Sequence, residues 1–298
     1  MINFLEIIVN GILLGSVYGL AAVGMGLIFG VMGVLNLAHG AFMLMGGAIS
    51  WFLVSSAGMG LPLTIPASVF SAGIVGLFLW KWGLAVPFSY NEDETGAGDL
   101  SSQLLVTLGF SLFAEDLVTR WSPQGVFSIP LEYPVITLSD ISFSSIRILL
   151  LFMVVSIFLI FNRILMKTDL GLMIRACIQE REGAILMSVP YSKISLAVFG
   201  AGCAMAGLAG SFYLILYPLT PQMSIPLTIK ALLIVILGGT GRFLYTLVAS
   251  ILLGLFEVAA GFWTSAETQH VIPHVALVVL LLISPAGIGS LNKNRFSY

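Results

Sequence analysis

The sequence predicts an all-α integral membrane protein with eight or nine transmembrane helices, one or more of them broken. Three observations predict it. Of 298 residues, 58% are hydrophobic and only 9% are charged, where soluble domains carry about a quarter charged residues. Mean hydropathy is +1.07, so the chain has too little polar surface to cover a core, and the bilayer is its solvent. Apolar stretches recur at about the 20 residues that a bilayer core requires of a helix. The break is read from the string Asn36-Leu37-Ala38-His39-Gly40, which interrupts one of those stretches with groups that hydrogen-bond.

In chain order the candidate spans are 4–34, 36–56, 62–83, 102–121, 146–165, 194–217, 226–241, 243–262 and 271–289. The first is too long for one crossing and 226–241 is short, which leaves the count at eight or nine. No Lys or Arg precedes Lys81, and the first apolar stretch outruns a signal-peptide core, so no cleavable signal peptide is expected. Gly11, Gly15 and Gly19 repeat every four residues, Gly26 and Gly30 continue the face, and Gly202, Ala206 and Gly210 repeat the pattern later. Small residues at this spacing let helix backbones approach closely.

Lys and Arg mark the cytoplasmic side. Arg163, Lys167, Arg175, Arg181 and Lys193 surround one loop, and Lys81, Arg242, Lys293 and Arg295 fall on the same side by alternation. Loops 122–145 and 264–270 carry neither residue. Loop 166–193 and the C-terminus are therefore assigned to the cytoplasm, together with the acidic loop 89–99. The stretch 167–193 reads as two short amphipathic helices. Thr168 or Asp169 caps the first, "EREG" makes the turn, and Pro190 ends the second. It is either an ordinary interfacial loop or a docking element whose apolar anchors enter a partner's groove.

Enzyme motifs are scarce. None of the five lysines follows a glycine, which excludes a P-loop, and neither HExxH nor GxSxG occurs. His270 and His274 are separated by Pro273, which spoils a helical ligand pair. Cys177 and Cys203 suggest neither a disulfide nor a metal site. Asp116 and Arg120 stand at i, i+4, the favoured orientation for a helical ion pair. No catalytic residue, cofactor, metal or nucleic-acid partner is expected.

Two polar features inside spans call for a role. Asn36, His39 and Gly40 face the protein interior, because polar residues and unwound backbone at membrane depth are tolerated only there. They either border a translocation path, with Phe42 and Met43 as apolar lining, or tie neighbouring helices by hydrogen bonds. Lys230 and Glu257 flank the turn at Gly241-Arg242. They lie twelve residues before Arg242 and fifteen after it, about 18 Å and 22 Å along the helices, so their depths differ by about 4 Å. They either pair or snorkel separately to the interface.

Three stretches together carry a family resemblance: "NGILLGSVYGLAAVGMGLIFGVMGVLNLAHGAFMLMGG" (10–47), "LGLMIRACIQEREGAILMSVP" (170–190) and "KALLIVILGGTGRFLYTLVASILLGLFE" (230–257). The chain resembles the LivH-like permease subunits of branched-chain amino acid ABC importers over nearly its whole length. The resemblance implies a single permease domain, 1–298, in a bacterial inner membrane, with 166–193 as the loop coupled to ATPases. By position, Gly171, Arg175, Ala176, Glu180 and Ala184 would carry that coupling. It also implies a second related permease, two cytoplasmic ABC ATPases and a periplasmic binding protein as partners. Ala41 stands where many relatives are acidic, Ser188 replaces a usual glycine, and "TGRFLYT" replaces a Gly-Ser-x-x-Gly-Ala-like stretch. These departures bear on substrate more than on architecture, since the wider family also handles urea, short amides and aromatic carboxylates. A stand-alone secondary transporter or channel is the other class with broken helices and midplane polar residues.

Overall fold

The computed structural model describes residues 4–84, 100–121, 125–129, 134–138 and 141–263, with positions 275, 278, 279 and 282. The acidic loop 89–99, His270, His274, most of the expected span 271–289, Lys293 and Arg295 lie outside the described residues.

The helices are α1 (Phe4–Met32), α2 (His39–Ser55), α3 (Leu61–Phe78, prolonged by a π-turn Leu79–Leu84), α4 (Leu100–Trp121), α5 (Ser145–Lys167), α6 (Asp169–Gln179), α7 (Arg181–Leu186), α8 (Tyr191–Leu216), α9 (Ser224–Gly238, after a 3-10 turn Pro221–Met223) and α10 (Phe243–Trp263). Among the described residues six of them are long and apolar enough to cross a membrane: α1, α3 with its π-turn, α5, α8, α9 with its 3-10 turn, and α10. Helix α2 is apolar but short, and α4, at 22 residues, is long enough but less apolar. The fold is that of an all-α membrane protein. The loop expected between α4 and α5 also contains an antiparallel hairpin, β1 (Val135–Leu138) with β2 (Ile141–Ser144).

The stretch expected to be too long for one span is a single unbroken helix. At 29 residues, α1 is about 43 Å long. Its excess length is tolerated because it runs through the centre of the bundle, buried along most of its course, so the thickness of the lipid does not limit it. Helix α5 is its opposite, with Ile148, Leu149, Phe152, Leu159 and Ile160 exposed, the surface a lipid-facing helix presents.

The order of packing reveals a repeat that the residues do not spell out. Helix α1 runs antiparallel to α10, with Gly11 against Leu255, Gly15 against Ile251 and Gly19 against Leu247. Helix α8 runs antiparallel to α3 in the same manner, with Gly200 against Leu77 and Gly207 against Ala72. Each long helix is followed by a break and a shorter helix that packs on the other long helix: α2 on α8 at Gly46–Gly207, and α9 on α1 at Val235–Gly26. The two long helices cross each other at Gly24 and Gly202, where a Cβ on either would press on the other's carbonyl. Units α1–α2–α3 and α8–α9–α10 therefore exchange roles, the pattern of an inverted repeat.

Close approach at α2–α8 is decided by hydrogen in place of Cβ. A methyl at Gly210 would strike the backbone of Met43, whereas one at Gly109 on α4 meets nothing within 4 Å among the described residues. Gly210→Ala should lower the thermal unfolding temperature in detergent, at a cost of roughly 1–3 kcal/mol for overpacking. Gly109→Ala should raise it slightly, by about 0.5–1 kcal/mol of helix propensity. Equal melting of the two variants would contradict this packing.

Candidate translocation site

Helix α1 ends at Met32, and Gly33 takes φ +69, a conformation open to glycine at little cost. Residues 33–38 then carry the chain back into the bundle. Asn36 holds this segment from both of its carbonyls. Its Oδ1 accepts from Ala38 N at 3.1 Å, and its backbone oxygen accepts from His39 N at 3.1 Å. His39 opens α2 and reaches α1, with Nε2 2.8 Å from Ala21 O. A carbonyl can only accept, so Nε2 carries the proton and Nδ1 is left as an acceptor.

Gly40 is where the two broken units touch. Its N–H donates to Thr228 Oγ1 at 2.7 Å, and a Cβ there would strike Ser224 O. The Thr228 hydroxyl lies 3.2 Å from Leu37 O and 3.1 Å from Ser224 O. One threonine on α9 thus serves the N-terminus of α2, the break and its own helix. Ser224, the first residue of α9, shares a hydrogen bond with Ser111 of α4 at 3.0 Å.

All five residues expected along a path (Asn36, His39, Gly40, Phe42 and Met43) are buried. Phe42 stacks on Phe110 of α4 at 5.2 Å, and the Met43 backbone packs against Gly210. The structure brings Asn36, His39 and Gly40 to one junction through their hydrogen bonds. It seats Phe42 and Met43 in the surrounding apolar core. Asn36 Nδ2 and His39 Nδ1 are buried with no hydrogen-bond partner among the described residues. Sequence reasoning missed Ser111, Ser224 and Thr228, whose only signal was a hydroxyl inside an apolar span.

Lys230 and Glu257 meet: Lys230 Nζ lies 2.6 Å from Glu257 Oε1, with both side chains buried. A third member had no signal in the sequence. Tyr18 of α1 accepts from Lys230 Nζ at 2.9 Å and lies 3.2 Å from Glu257 Oε1. The knot ties α1, α9 and α10. Close by, where Tyr18 stacks on Tyr213 at 6.1 Å, Ser50, Ser68 and Ser211 tie α2, α3 and α8, with Ser211 Oγ 2.6 Å from Ser68 and 3.0 Å from Ser50.

At the basic end of the bundle, Thr168 caps α6 by accepting from Gly171 N at 3.1 Å. Gly171 is buried and sits under the last carbonyls of α5, those of Ile164 and Leu165. Arg175 turns back to donate to Leu165 O, so it braces α6 against α5. Ala184 is buried, Ala176 half-buried and Glu180 exposed. The apolar anchors that the sequence offered in this stretch stand exposed, among them Leu172, Ile185, Leu186 and Met187, the last two 84% and 82% exposed. Cys177 is a buried free thiol whose pKa burial raises, which keeps it unreactive. Arg181 lies over the Tyr191 ring at 4.3 Å. Arg120 and Asp116 pair at 2.9 Å on the surface of α4, where such a pair contributes little.

Interrupted apolar helices whose polar groups meet inside an all-α bundle define a membrane transport permease. The chain belongs to the family described as "branched-chain amino acid transport system / permease component", whose model matches residues 7–283. It is 25% identical over 306 aligned positions to the high-affinity branched-chain amino acid transport system permease protein LivH of Salmonella typhimurium, and equally to that of Escherichia coli K12. Each match covers 96% of this chain and 95% of the relative. It is 24% identical over 302 positions to the corresponding permease protein BraD of Pseudomonas aeruginosa, at the same coverage. No solved structure matches.

Two stability predictions arise from these contacts. Lys230→Ala should cost about 3–5 kcal/mol by stranding a buried carboxylate, and adding Glu257→Ala should recover part of that loss. Additive effects in a double-mutant cycle would rule the coupling out. Ser188 holds φ +64, the left-handed region where a side chain is strained by about 1–2 kcal/mol. Ser188→Gly should raise the melting temperature, by up to about 1 kcal/mol once the freer unfolded chain is counted, while Ser188→Val should lower it.

Proposed function

We propose that the chain is the transmembrane permease subunit of an ATP-driven ABC importer for branched-chain or other small apolar amino acids. It works in a bacterial inner membrane with its basic end and C-terminus in the cytoplasm. It pairs with a second, related permease, is driven by two ABC ATPases and receives substrate from a periplasmic binding protein. The chain itself catalyses no reaction.

The observation that carries this reading is the α6–α7 tip. A sequence with no P-loop braces a short helix pair against the end of a spanning helix and turns Ile185, Leu186 and Met187 outward. Apolar anchors on a rigid helical element fit a groove on a soluble partner, and the bracing by Gly171, Arg175 and the Thr168 cap lets motion at that partner reach α5. In this reading Glu180 is a rim contact, while Ala176 and Ala184 give the tip its compact base. The junction of Asn36 in the break with His39 and Gly40 at the start of α2 borders the substrate path, and the apolar lining from Phe42 and Met43 passes a solute without holding it. The names of the relatives supply the branched-chain amino acid.

The test is reconstitution with the partner subunits in proteoliposomes. Radiolabelled leucine should enter in an ATP- and binding-protein-dependent manner, and a strong preference for urea would refute the substrate class. Leu186→Glu combined with Met187→Glu should reduce co-purification of the ATPases and stimulated ATP hydrolysis at least about tenfold, the loss expected when central apolar anchors are replaced by charge. Unchanged association would refute the docking role of the tip.

A further inference from the structure

A cleft of about 270 Å³ opens between the end of α5 and the turn that joins α9 to α10. Asn162 and Met166 line it from α5, and Arg242, Phe243, Leu244 and Tyr245 from the turn and the start of α10. Phe243 meets Phe161 of α5 edge to face at 5.6 Å, which holds the two helices together beside the cleft.

Two apolar rows lead into it. Val155, Leu159, Asn162 and Met166 recur at three- and four-residue spacing and share one face of α5. Val155 and Leu159 are exposed. On α10, Leu244 and Val248 stand one turn apart and are exposed, Leu244 at 71%. Helix α5 ends at the basic end of the bundle and α10 begins there, so both rows run from the cleft toward the middle of the bilayer. The charge around the cleft has one sign. Arg242 lines it, and Arg163 and Lys167, both exposed, flank it on the last turns of α5. Neither 145–168 nor 224–256 contains an Asp or Glu. The nearest acid along the chain, Asp169, opens α6. The Asn162 amide and the Tyr245 hydroxyl add hydrogen-bonding groups to the lining. Pockets that enclose a whole small molecule begin at about 300 Å³, so this cleft suits a headgroup whose chains stay outside.

We propose that the cleft binds the phosphodiester headgroup of an anionic phospholipid, with Arg242 on the phosphate and the acyl chains along the Val155–Leu159 and Leu244–Val248 rows. A guanidinium matches phosphate oxygens in bidentate geometry. Arg163 and Lys167 favour a lipid of net negative charge, and basic pockets between membrane helices on the cytoplasmic side hold such headgroups. That the cytoplasmic leaflet supplies the lipid rests on the orientation proposed above, whereas the binding itself does not. Helix α6 is seated on both walls of the cleft, through Gly171 on the end of α5 and through Ile178 at Gly241. A lipid joining α5 to α10 therefore stiffens the base of the α6–α7 pair.

The test uses the full chain purified in an uncharged detergent, with bound lipid counted by native mass spectrometry. The probes are phosphatidylglycerol, phosphatidylcholine with the same acyl chains, and glycerol 3-phosphate as a free phosphate. Phosphatidylglycerol should bind at least about fivefold more tightly than phosphatidylcholine, the worth of about one cationic side chain at an anionic surface. It should also raise the melting temperature, because it binds only the folded chain. Arg242→Gln should abolish the preference, and Arg242→Lys should keep part of it. Asn162→Trp, which fills the cleft without changing charge, should abolish it too. Lys193→Gln removes a charge from the same end outside the cleft and should leave the preference intact. Equal losses in Arg242→Gln and Lys193→Gln would reduce the effect to diffuse surface charge and overturn the site. Full preference in Asn162→Trp would overturn it as well. Displacement of the lipid by an equal concentration of glycerol 3-phosphate would show a free-phosphate site and overturn the lipid. Cleavage of loop 166–193 by protease added outside intact spheroplasts would sink the orientation, and with it the leaflet, while the binding result would stand.

Discussion

The hydrogen bond from Gly40 N to Thr228 Oγ1 sits where the whole architecture is most exposed to failure. In hydrocarbon every backbone polar group must be satisfied within the protein, and this chain stops two helices inside the bundle. The break after α1 and the turn before α9 each leave amide and carbonyl groups that no helix serves. The structure answers by bringing the two breaks together, so that a threonine from one unit completes the helix start of the other. Gly40 is indispensable to that solution because a Cβ would strike Ser224 O before the bond could form.

The inverted packing follows from the same constraint. Each short helix must be covered by a helix from the other unit, since its own long helix has already turned away. Close crossings at Gly24–Gly202 and Gly46–Gly207 make that coverage dense, which matters where no hydrophobic drive separates helix from lipid. Polar knots then fix the junctions. One uses three serines and the other an ion pair with a tyrosine. Charges at depth are tolerable only when paired and hydrogen-bonded, and Tyr18 supplies the extra bond.

Function divides along the axis of the bundle. The centre holds the interruptions and their unmatched polar atoms, and the basic end holds a braced, outward-facing helix pair. Arg175, which charge alone would assign to a partner's surface, is spent on the carbonyl of Leu165. The side chains turned furthest outward on the helix pair are apolar, at Leu186 and Met187.

The sequence by itself determined the membrane class, the location of most helices, an interruption at the string 36–40, which the structure places at 33–38 with His39 and Gly40 already in α2, and a capped helix pair after Thr168. These depend on local quantities: hydropathy over about 20 residues, cap residues, and a polar string in an apolar run. It also placed Lys230 and Glu257 at similar depth, because helical rise is constant. Only the tertiary structure decided that α1 is one helix buried at the centre, that the two units invert each other, and that Tyr18, Thr228, Ser224 and Ser111 belong to the polar junctions. A tyrosine at 18 and a lysine at 230 are far apart in the chain, and nothing in either neighbourhood encodes the crossing that joins them.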